Sequence, residues 1–583
     1  MNKEIHRRVD MDLRLAVLRG MLVVTFLLLG GAIFSFQVLR FDRYVQLAAD
    51  NRLRTLQIPA QRGRLFDVNG APLALNVRTF DLKGYPLYLR REGVLADLAR
   101  LLGRHGIPLG ESQLAENVSR QYWAPYRAVT VVPNLTLAQV AGLVTDPAFS
   151  PQLFPFPVWR RVYPAGALAS HIVGYVGEIG REELDARRGQ GYSGGDVVGK
   201  MGVEAVYEDR LRGLSGEEAI EVDARGRRLR RLDYRPQEAG RDITLTLDLA
   251  AQRLAAEMMG EDRGAIVGLD VATGAVRALF SSPSFDPNPL SWGMAAGEWR
   301  QIIEAEGRPM MNRAIAGVYP PASTYKVVTA LAALGEKVAT PQTVVFCPGY
   351  FKLGDRTFRC WKRTGHGSEN LVEALRDSCD VWFYQIGLKV GIENLMAWSS
   401  LLGMGHPSGI DLVGESAGSL AGPEWKKSRF KESWYPGDTV NYSIGQGFLL
   451  ATPLQMAVVY AAIANGGHLV TPHLNGEAPP EPVDLHIPPT LLAPIVKGLE
   501  TVVKTGTGRQ AGGFGVSLAG KTGTAQNSHG PDHAWFVGYG PRDNPRYVVC
   551  VLVEAGEHGS SKAAPMAGRL LAYLLDHDVE LRR

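Results

Sequence analysis

GAIVGLDVATGAVRALFSS, residues Gly264 to Ser282, holds two apolar runs, Gly264–Val271 and Ala275–Ser282, separated by the turn Ala272, Thr273 and Gly274. Two such runs around a short glycine-containing turn predict a β-hairpin. Far downstream, SLAGKTGTAQ, HAWFVGYG and RYVVCVLVEA form three more strand-like runs, and PMAGRLLAYLLDH (Pro565 to His577) has helical spacing. Helix-rich sequence lies between. Strands at both ends with helices inserted between them imply one antiparallel sheet assembled from the termini, an α+β layered domain.

Upstream of the hairpin, the polar Pro/Gly stretch RLDYRPQEAGR (Arg231 to Arg241) precedes the alternating run ITLTLDL (Ile243 to Leu249) and reads as a domain boundary. It divides a segment 40–240 from a segment 241–583. Nearer the N-terminus, GMLVVTFLLLGGAIFSFQVL (Gly20 to Leu39) carries no charge and is long enough as a helix to cross a hydrocarbon core. It lacks the short apolar region and small-x-small site of a cleaved signal, so an uncleaved anchor is expected. Lys3, Arg7, Arg8, Arg14 and Arg19 precede it, which puts residues 1–19 in the cytoplasm and the remainder outside. With 45% hydrophobic residues, 21% charged and a net charge of +4, the chain has no polyelectrolyte signature for nucleic acid. It shows no fixed-period repeat and no second span.

In the helical middle, VYPPASTYKVVTALAALGEK (Val318 to Lys337) places Ser323 and Lys326 three residues apart at a helix start. An amine beside a hydroxyl can take the proton that a nucleophilic serine must lose. Alone, S-x-x-K is a weak signal, and it recurs at Ser428 and Lys431. It gains weight from Ser378-Cys379-Asp380 downstream and Lys521-Thr522-Gly523-Thr524 on the first C-terminal strand. S-x-[ND] also matches at Ser284 and Ser368, and a second KTG begins at Lys504. Context chooses: Lys504 ends the helical run LLAPIVKGLETVV, whereas GKTGTA leads into a strand. In a strand, Gly523 admits a substrate backbone, while Lys521 and the hydroxyls of Thr522 and Thr524 offer charge and hydrogen bonds to a carboxylate.

The order S-x-x-K, S-x-[ND], K-[TS]-G resembles the signature of penicillin-recognising acyl-serine enzymes. The chain as a whole resembles the class B penicillin-binding proteins, most closely those of the elongation machinery. The resemblance extends to Arg62-Gly63-Arg64 with Asp67-Val68-Asn69-Gly70, RVYPAGALASHIVGYVG (Arg161 to Gly177) and GGDVVGKMGVEAVYEDRLRGLSG (Gly194 to Gly216). It also covers SSPSFDPN (Ser281 to Asn288), NYSIGQGFLLATPLQM (Asn441 to Met456) and HAWFVGYGP (His533 to Pro541). It implies an α+β transpeptidase fold, an antiparallel sheet with helices on both faces and a helical subdomain, on a mixed α/β pedestal with one transmembrane helix. It also implies a D,D-transpeptidase of peptidoglycan, inhibited by β-lactams and needing no cofactor. Ser323 would attack the penultimate D-alanine of a D-Ala-D-Ala stem peptide, Lys326 would take its proton, and Ser378 would relay that proton. The N–H groups of Ser323 and Thr524 would form the oxyanion hole. Asp380 stands where many such enzymes have Asn, so the amide role does not carry over. Implied partners are a membrane glycosyltransferase of the SEDS family, other elongation-complex proteins and the bacterial cytoplasmic membrane. A β-lactamase would need neither anchor nor pedestal. Residues 40–240 show no paired carboxylates for a glycosyltransferase of their own. A division-type synthase and a non-catalytic scaffold are the remaining alternatives.

Three of the four cysteines lie between Cys347 and Cys379. An extracytoplasmic compartment permits a disulfide with one thiol left over. The alternative is a closed Cys3His site of Cys347, Cys360, His366 and Cys379, whose spacings are loose for zinc. Elongation-type relatives carry metal-capable side chains at similar positions, which favours a structural zinc. If Cys379 sits in an extended loop, its neighbours point the other way, so a metal there would aim Ser378 into the cleft. Cys550, in an apolar strand, is expected to be a buried small residue.

Overall fold

The computed structural model describes residues 2–42, 44, 53–58, 60–120, 128–222, 228–294, 296–527 and 530–578. Met1 and the side chains of Lys3, Arg7 and Arg8 from the expected cytoplasmic tail lie outside the described residues. The chain forms two compact units, residues 1–61 with 213–240, and residues 62–212 with 241–583.

In the first unit, a helix Asn2–Phe34 runs into a π-helical turn Ser35–Leu39. Its stretch Leu13–Leu39 has a mean hydropathy of 2.2 with nothing buried against protein, and is long and apolar enough to span a membrane. The same unit holds an antiparallel sheet in which Gly216–Val222 lies between Leu53–Ile58 and Arg228–Arg235. Arg231 to Arg235, read from sequence as linker, is therefore strand. Leu232 and Tyr234 are both exposed, so the segment has no apolar face to announce itself.

In the second unit, residues 62–212 are grouped with 241–583. Leu65–Phe66 pairs in parallel with Ile243–Thr244, and Tyr163, Ile172, Val203 and Leu211 share a core with Ile243, Leu245 and Leu247. The long strand Pro72–Gly84 pairs with Val129–Leu135 and Leu153–Val162. The three pedestal stretches quoted above meet at one buried network. Arg62 donates to Glu204 and Glu208 at 2.6 Å each, and Arg161 donates to Glu204 at 2.6 Å. Burial opposes charge on Glu204, but Arg161 and Arg62 outweigh it and hold the carboxyl below its usual range.

The transpeptidase segment is built on a five-stranded antiparallel sheet. Its helices and strands in chain order are α1 (Leu249–Met259), β1 (Gly264–Asp270), β2 (Val276–Ser282), α2 (Lys326–Gly335), α3 (Asp380–Val390), α4 (Pro453–Ala464), α5 (Pro489–Lys504), β3 (Ala519–Ala525), β4 (His533–Gly540), β5 (Tyr547–Val553) and α6 (Ala563–Asp576). The sheet order is β2-β1-β5-β4-β3. As the sequence implies, the N-terminal hairpin and the C-terminal strands share one sheet, because β1 pairs with β5 from Gly264 opposite Val553 to Asp270 opposite Tyr547. Alternate residues face two helical layers. Ile266, Phe536, Val549 and Val551 pack on α1 and α6, whereas Val267, Trp535, Cys550 and Leu552 pack on the side of α2, α3 and α4. A sheet covered on both faces needs strands apolar at every position, as β5 is. Strand β3 is left as an edge beside the helical layer.

Glu204→Ala would leave Arg62 and Arg161 buried without a shared partner. Chemical denaturation of the variant should show a loss of about 3–5 kcal/mol. In the unaltered chain the Glu204 contribution is present above the ordinary glutamate range and should be lost as pH falls through its lowered folded-state value.

Candidate active site

Ser323 does not begin the α-helix itself. It lies in a 3-10 turn Ala322–Tyr325 that runs directly into α2, so Lys326 is the first residue of that helix. The turn is held from outside: Ala322 N–H donates to Gly445 at 2.8 Å, and Tyr460 donates to the Thr324 carbonyl at 2.9 Å. Gly445 has φ +72°, and a Cβ there would lie 2.2 Å from the Ala322 carbonyl oxygen, so only glycine permits this approach. Ala322 itself has φ +50°, a strained conformation for a residue with a side chain. Ser323 is half-buried, and its hydroxyl makes no hydrogen bond among the described residues.

Lys326 is wholly buried. Its Nζ donates to the Ser378 carbonyl at 2.8 Å, to Ser378 Oγ at 3.2 Å and to Asp380 Oδ1 at 2.7 Å. The amine therefore rests on the second motif, with the Phe383 ring 5.3 Å away. Cys379 itself is extended, at φ −65° and ψ 109°, between a left-handed residue and a helix. Ser378 takes φ +55° and Cys379 is the N-cap of α3, so the chain reverses at Ser378. That reversal lets Ser378 and Asp380 face the same amine while Cys379 points away. A left-handed serine costs of order 1 kcal/mol and persists where neighbours over-determine it.

Thr522 and Thr524 alternate with Lys521 and Gly523 along β3, so the two hydroxyls and the lysine leave opposite faces of the strand. Lys521 is wholly buried, and its Nζ donates only to the Thr522 carbonyl at 3.1 Å among the described residues. Burial, and then the Lys326 ammonium, push its pKa well below the usual lysine value, against the pull of Asp380 and Asp377. Gly523 packs against the turn that carries Ser323; a Cβ there would meet Thr324 at 3.2 Å and the Pro321 carbonyl at 3.3 Å. Gln446 donates to the Thr524 carbonyl at 3.3 Å. That carbonyl thus faces the open edge of β3, and a strand residue's N–H and C=O point the same way. Thr524 N–H is on the cleft side.

The competing copies lie elsewhere. Ser428 is exposed near the end of the helix Pro423–Phe430, with Lys431 as its left-handed cap. Ser284 bonds to Ser170, Ser368 is exposed on the short strand Gly367–Glu369, and Lys504 ends α5. The structure gives a role to Gly445 and Gln446, which the sequence marked only as part of a family-like stretch, and adds two residues that the sequence gave no reason to name: Trp361, whose N–H donates to Asp380 Oδ2 at 2.9 Å, and Thr507, whose hydroxyl meets that of Thr522 at 2.7 Å. Thr507 directly follows the second KTG, so that copy lies beside the first.

Cys347, Cys360, His366 and Cys379 converge, with one ligand atom from each within 4.8 Å of all the others. His366 Nδ1 is 3.6 Å from the sulfurs of both Cys347 and Cys360. All four cysteines are free and buried, so the alternative of a disulfide is not formed. A hydrogen bond from Cys379 and another from His366 lower the Cys360 pKa, and the same Cys360 contact raises that of Cys379. The cluster therefore favours a thiolate. Cys550 is buried in β5.

The penicillin binding protein transpeptidase domain matches residues 264–572, and the penicillin-binding protein dimerisation domain matches residues 57–245. Peptidoglycan D,D-transpeptidase MrdA of Haemophilus influenzae is 36% identical over 612 aligned residues, covering 99% of this chain and 93% of that protein. The solved complex of penicillin-binding protein PBP2 with MreC from Helicobacter pylori matches with a TM-score of 0.82 at 30% identity, over 90% of this chain and 99% of that one. A peptidoglycan synthase complex, solved for its coordination of polymerization and crosslinking, matches with a TM-score of 0.73 at 32% identity, over 96% and 98%. The chain belongs to the penicillin-binding protein family, as a class B member of the PBP2 type.

Proposed function

We propose that Ser323 is the acylated nucleophile of a peptidoglycan D,D-transpeptidase that cross-links stem peptides during cell elongation. The carrying observation is the meeting of Lys326 with Ser378 and Asp380, one turn beyond Ser323 and beside β3. Ser323 Oγ attacks the carbonyl of the penultimate D-alanine and passes its proton to Lys326. The tetrahedral oxyanion is held by the N–H groups of Ser323 and Thr524, each worth about 3–4 kcal/mol where such donors have been removed. The carbon–nitrogen bond breaks, and Ser378 relays the proton to the departing D-alanine amine. The amine of a second stem peptide then attacks the acyl-serine, forming the cross-link and restoring Ser323. Asp380 accepts a hydrogen bond from the neutral Lys326 amine and becomes the counter-charge of the ammonium formed when that amine takes the serine proton, where an amide would offer only a neutral hydrogen bond, and Trp361 N–H fixes that carboxylate. Thr522 and Thr524 offer hydroxyls to the substrate carboxylate, and Lys521 supplies a buried amine behind them. β-Lactams acylate the same serine.

The apolar helix anchors the chain in the bacterial cytoplasmic membrane, with the basic tail inside and the catalytic segment outside. The matches to a PBP2–MreC complex and to a peptidoglycan synthase complex support elongation-complex proteins and a SEDS-family glycosyltransferase as partners.

The four-residue cluster is suited to a structural zinc. Tetrahedral zinc with ordinary Zn–S and Zn–N bonds separates sulfur from nitrogen by roughly 3.6 Å, the spacing of His366 Nδ1 from Cys347 and Cys360. Such an ion would close the shell and tie Cys379, next to Ser378, to Cys360, next to Trp361. The chemistry of the serine does not run through it.

Ser323→Ala should abolish the covalent β-lactam adduct read by intact-protein mass spectrometry, with thermal stability retained. Lys326→Ala should slow acylation by about 10²–10⁴; an unchanged rate would assign the base elsewhere. Lys521→Ala should weaken acylation by about 0.5–1.5 kcal/mol, as expected for loss of an uncharged hydrogen bond behind the strand. Elemental analysis should find about one zinc per chain. Cys360→Ser should lower zinc content, melting temperature and acylation rate together; a metal-free protein with full acylation would remove the site.

A further inference from the structure

Beyond the cleft, the segment 423–448 carries large aromatic side chains at the surface. Trp425 is 38% exposed, Phe430 49% and Tyr435 57%. They are not scattered. Phe448 is the hub, 5.3 Å from Trp425, 5.7 Å from Phe430 and 6.1 Å from Trp434 between ring centroids. The shelf is built from beneath by Lys426, which is 5% exposed. Its ammonium pairs with Asp438 at 2.7 Å and lies 4.7 Å from the Tyr435 ring and 5.7 Å from that of Phe448. A buried ammonium is tolerated only when paired, so this group holds the rings in one arrangement. Clustered exposed aromatics of this kind mark a binding surface rather than chance exposure.

What covers the shelf is set by where it lies. Gly445 touches the Ala322 carbonyl and Gln446 bonds to Thr524. Phe448 follows three residues after Gly445, so it lies within roughly 10 Å of that contact. The shelf thus adjoins the loop Gly445–Gln446 that borders the cleft. A stem peptide that reaches Ser323 is attached to a glycan, which must leave the cleft across a rim. Sugar rings present apolar C–H faces that pack on aromatic rings while their hydroxyls stay in water. The exposed Lys427 and Arg429 on the same helix, Pro423–Phe430, complement the carboxylates of neighbouring stems on one strand, against a single exposed acid, Glu424, in that helix.

We propose that the aromatic shelf of Trp425, Phe430 and Tyr435 around Phe448 binds the amino-sugar glycan strand that carries the substrate stem peptide. The proposal rests on the transpeptidase reading above. The test uses the full chain in detergent micelles, with short uncross-linked glycan strands bearing pentapeptide stems as one probe and the free pentapeptide as the other. Penicillin acylation of Ser323 serves as the control for folding. Trp425→Ala combined with Phe430→Ala should weaken strand binding about tenfold, leave binding of the free pentapeptide unchanged and still accept penicillin. Trp425→Leu, which keeps apolar volume but removes the ring face, should weaken strand binding several-fold in the same direction. Wild-type strand affinity in variants that accept penicillin would overturn the shelf and point to a protein as its occupant. Equal loss for the strand and the free peptide would also overturn it, as a peptide site. Absence of a Ser323 adduct in the unaltered chain would overturn the transpeptidase reading and this proposal together.

Discussion

A lysine amine taken wholly out of water must be paired or neutral, and Lys326 is the group on which the geometry of the cleft hangs. Three acceptors converge on it, and all belong to Ser378 and Asp380. That requirement joins the start of α2 to the start of α3, segments more than fifty residues apart in the chain. It also accounts for the backbone at Ser378. The left-handed Ser378 and the extended Cys379 together set residues on either side of Cys379 on one amine. Burial of Lys521 nearby raises the demand, since two amines share a dry region with Asp380 as a counter-charge.

The support for this arrangement comes from elements that never touch the serine. Asp380 is held on its second oxygen by the Trp361 N–H, and Trp361 follows Cys360. Ser378 is followed by Cys379. The Cys3His cluster therefore grips the chain at both points from which the Lys326 partners are positioned. On the opposite side, Gly445 and Gln446 connect the turn that carries Ser323 to the rim of the cleft and to β3. Catalysis is sensitive to displacements of about 1 Å, and a serine carried on a short 3-10 turn needs such bracing.

The pedestal follows the same logic at larger scale. Arg62, Arg161, Glu204 and Glu208 are ion-paired away from water, drawing three distant stretches to one point. Residues 62–212 consequently pack with the transpeptidase segment in one unit, with Leu65–Phe66 and Ile243–Thr244 as neighbouring strands.

Local signals carried much of this. The Gly264–Ser282 hairpin, the three C-terminal strands, the helical spacing of α6 and the apolar N-terminal helix are all written in neighbouring residues, because hydrophobic period and turn chemistry act over a few positions. The choice of Lys521 over Lys504 was likewise legible, as one follows a helix and the other begins a strand. What the sequence could not settle depends on groups far apart in the chain. The strand at Arg231–Arg235 has no apolar face, so only its partner Gly216–Val222 reveals it. Cys379 is extended as read, but the left-handed turn at Ser378 and the helix start at Asp380 on either side of it had no local signal. Trp361 and Thr507 act through a backbone N–H and a hydroxyl whose partners lie 19 and 15 residues away, and no periodicity marks such contacts. The sequence by itself determined which chemical groups this protein has and which local elements carry them. The tertiary structure alone decided which of them meet, because burying charged and polar groups requires partners that only the folded chain can bring together.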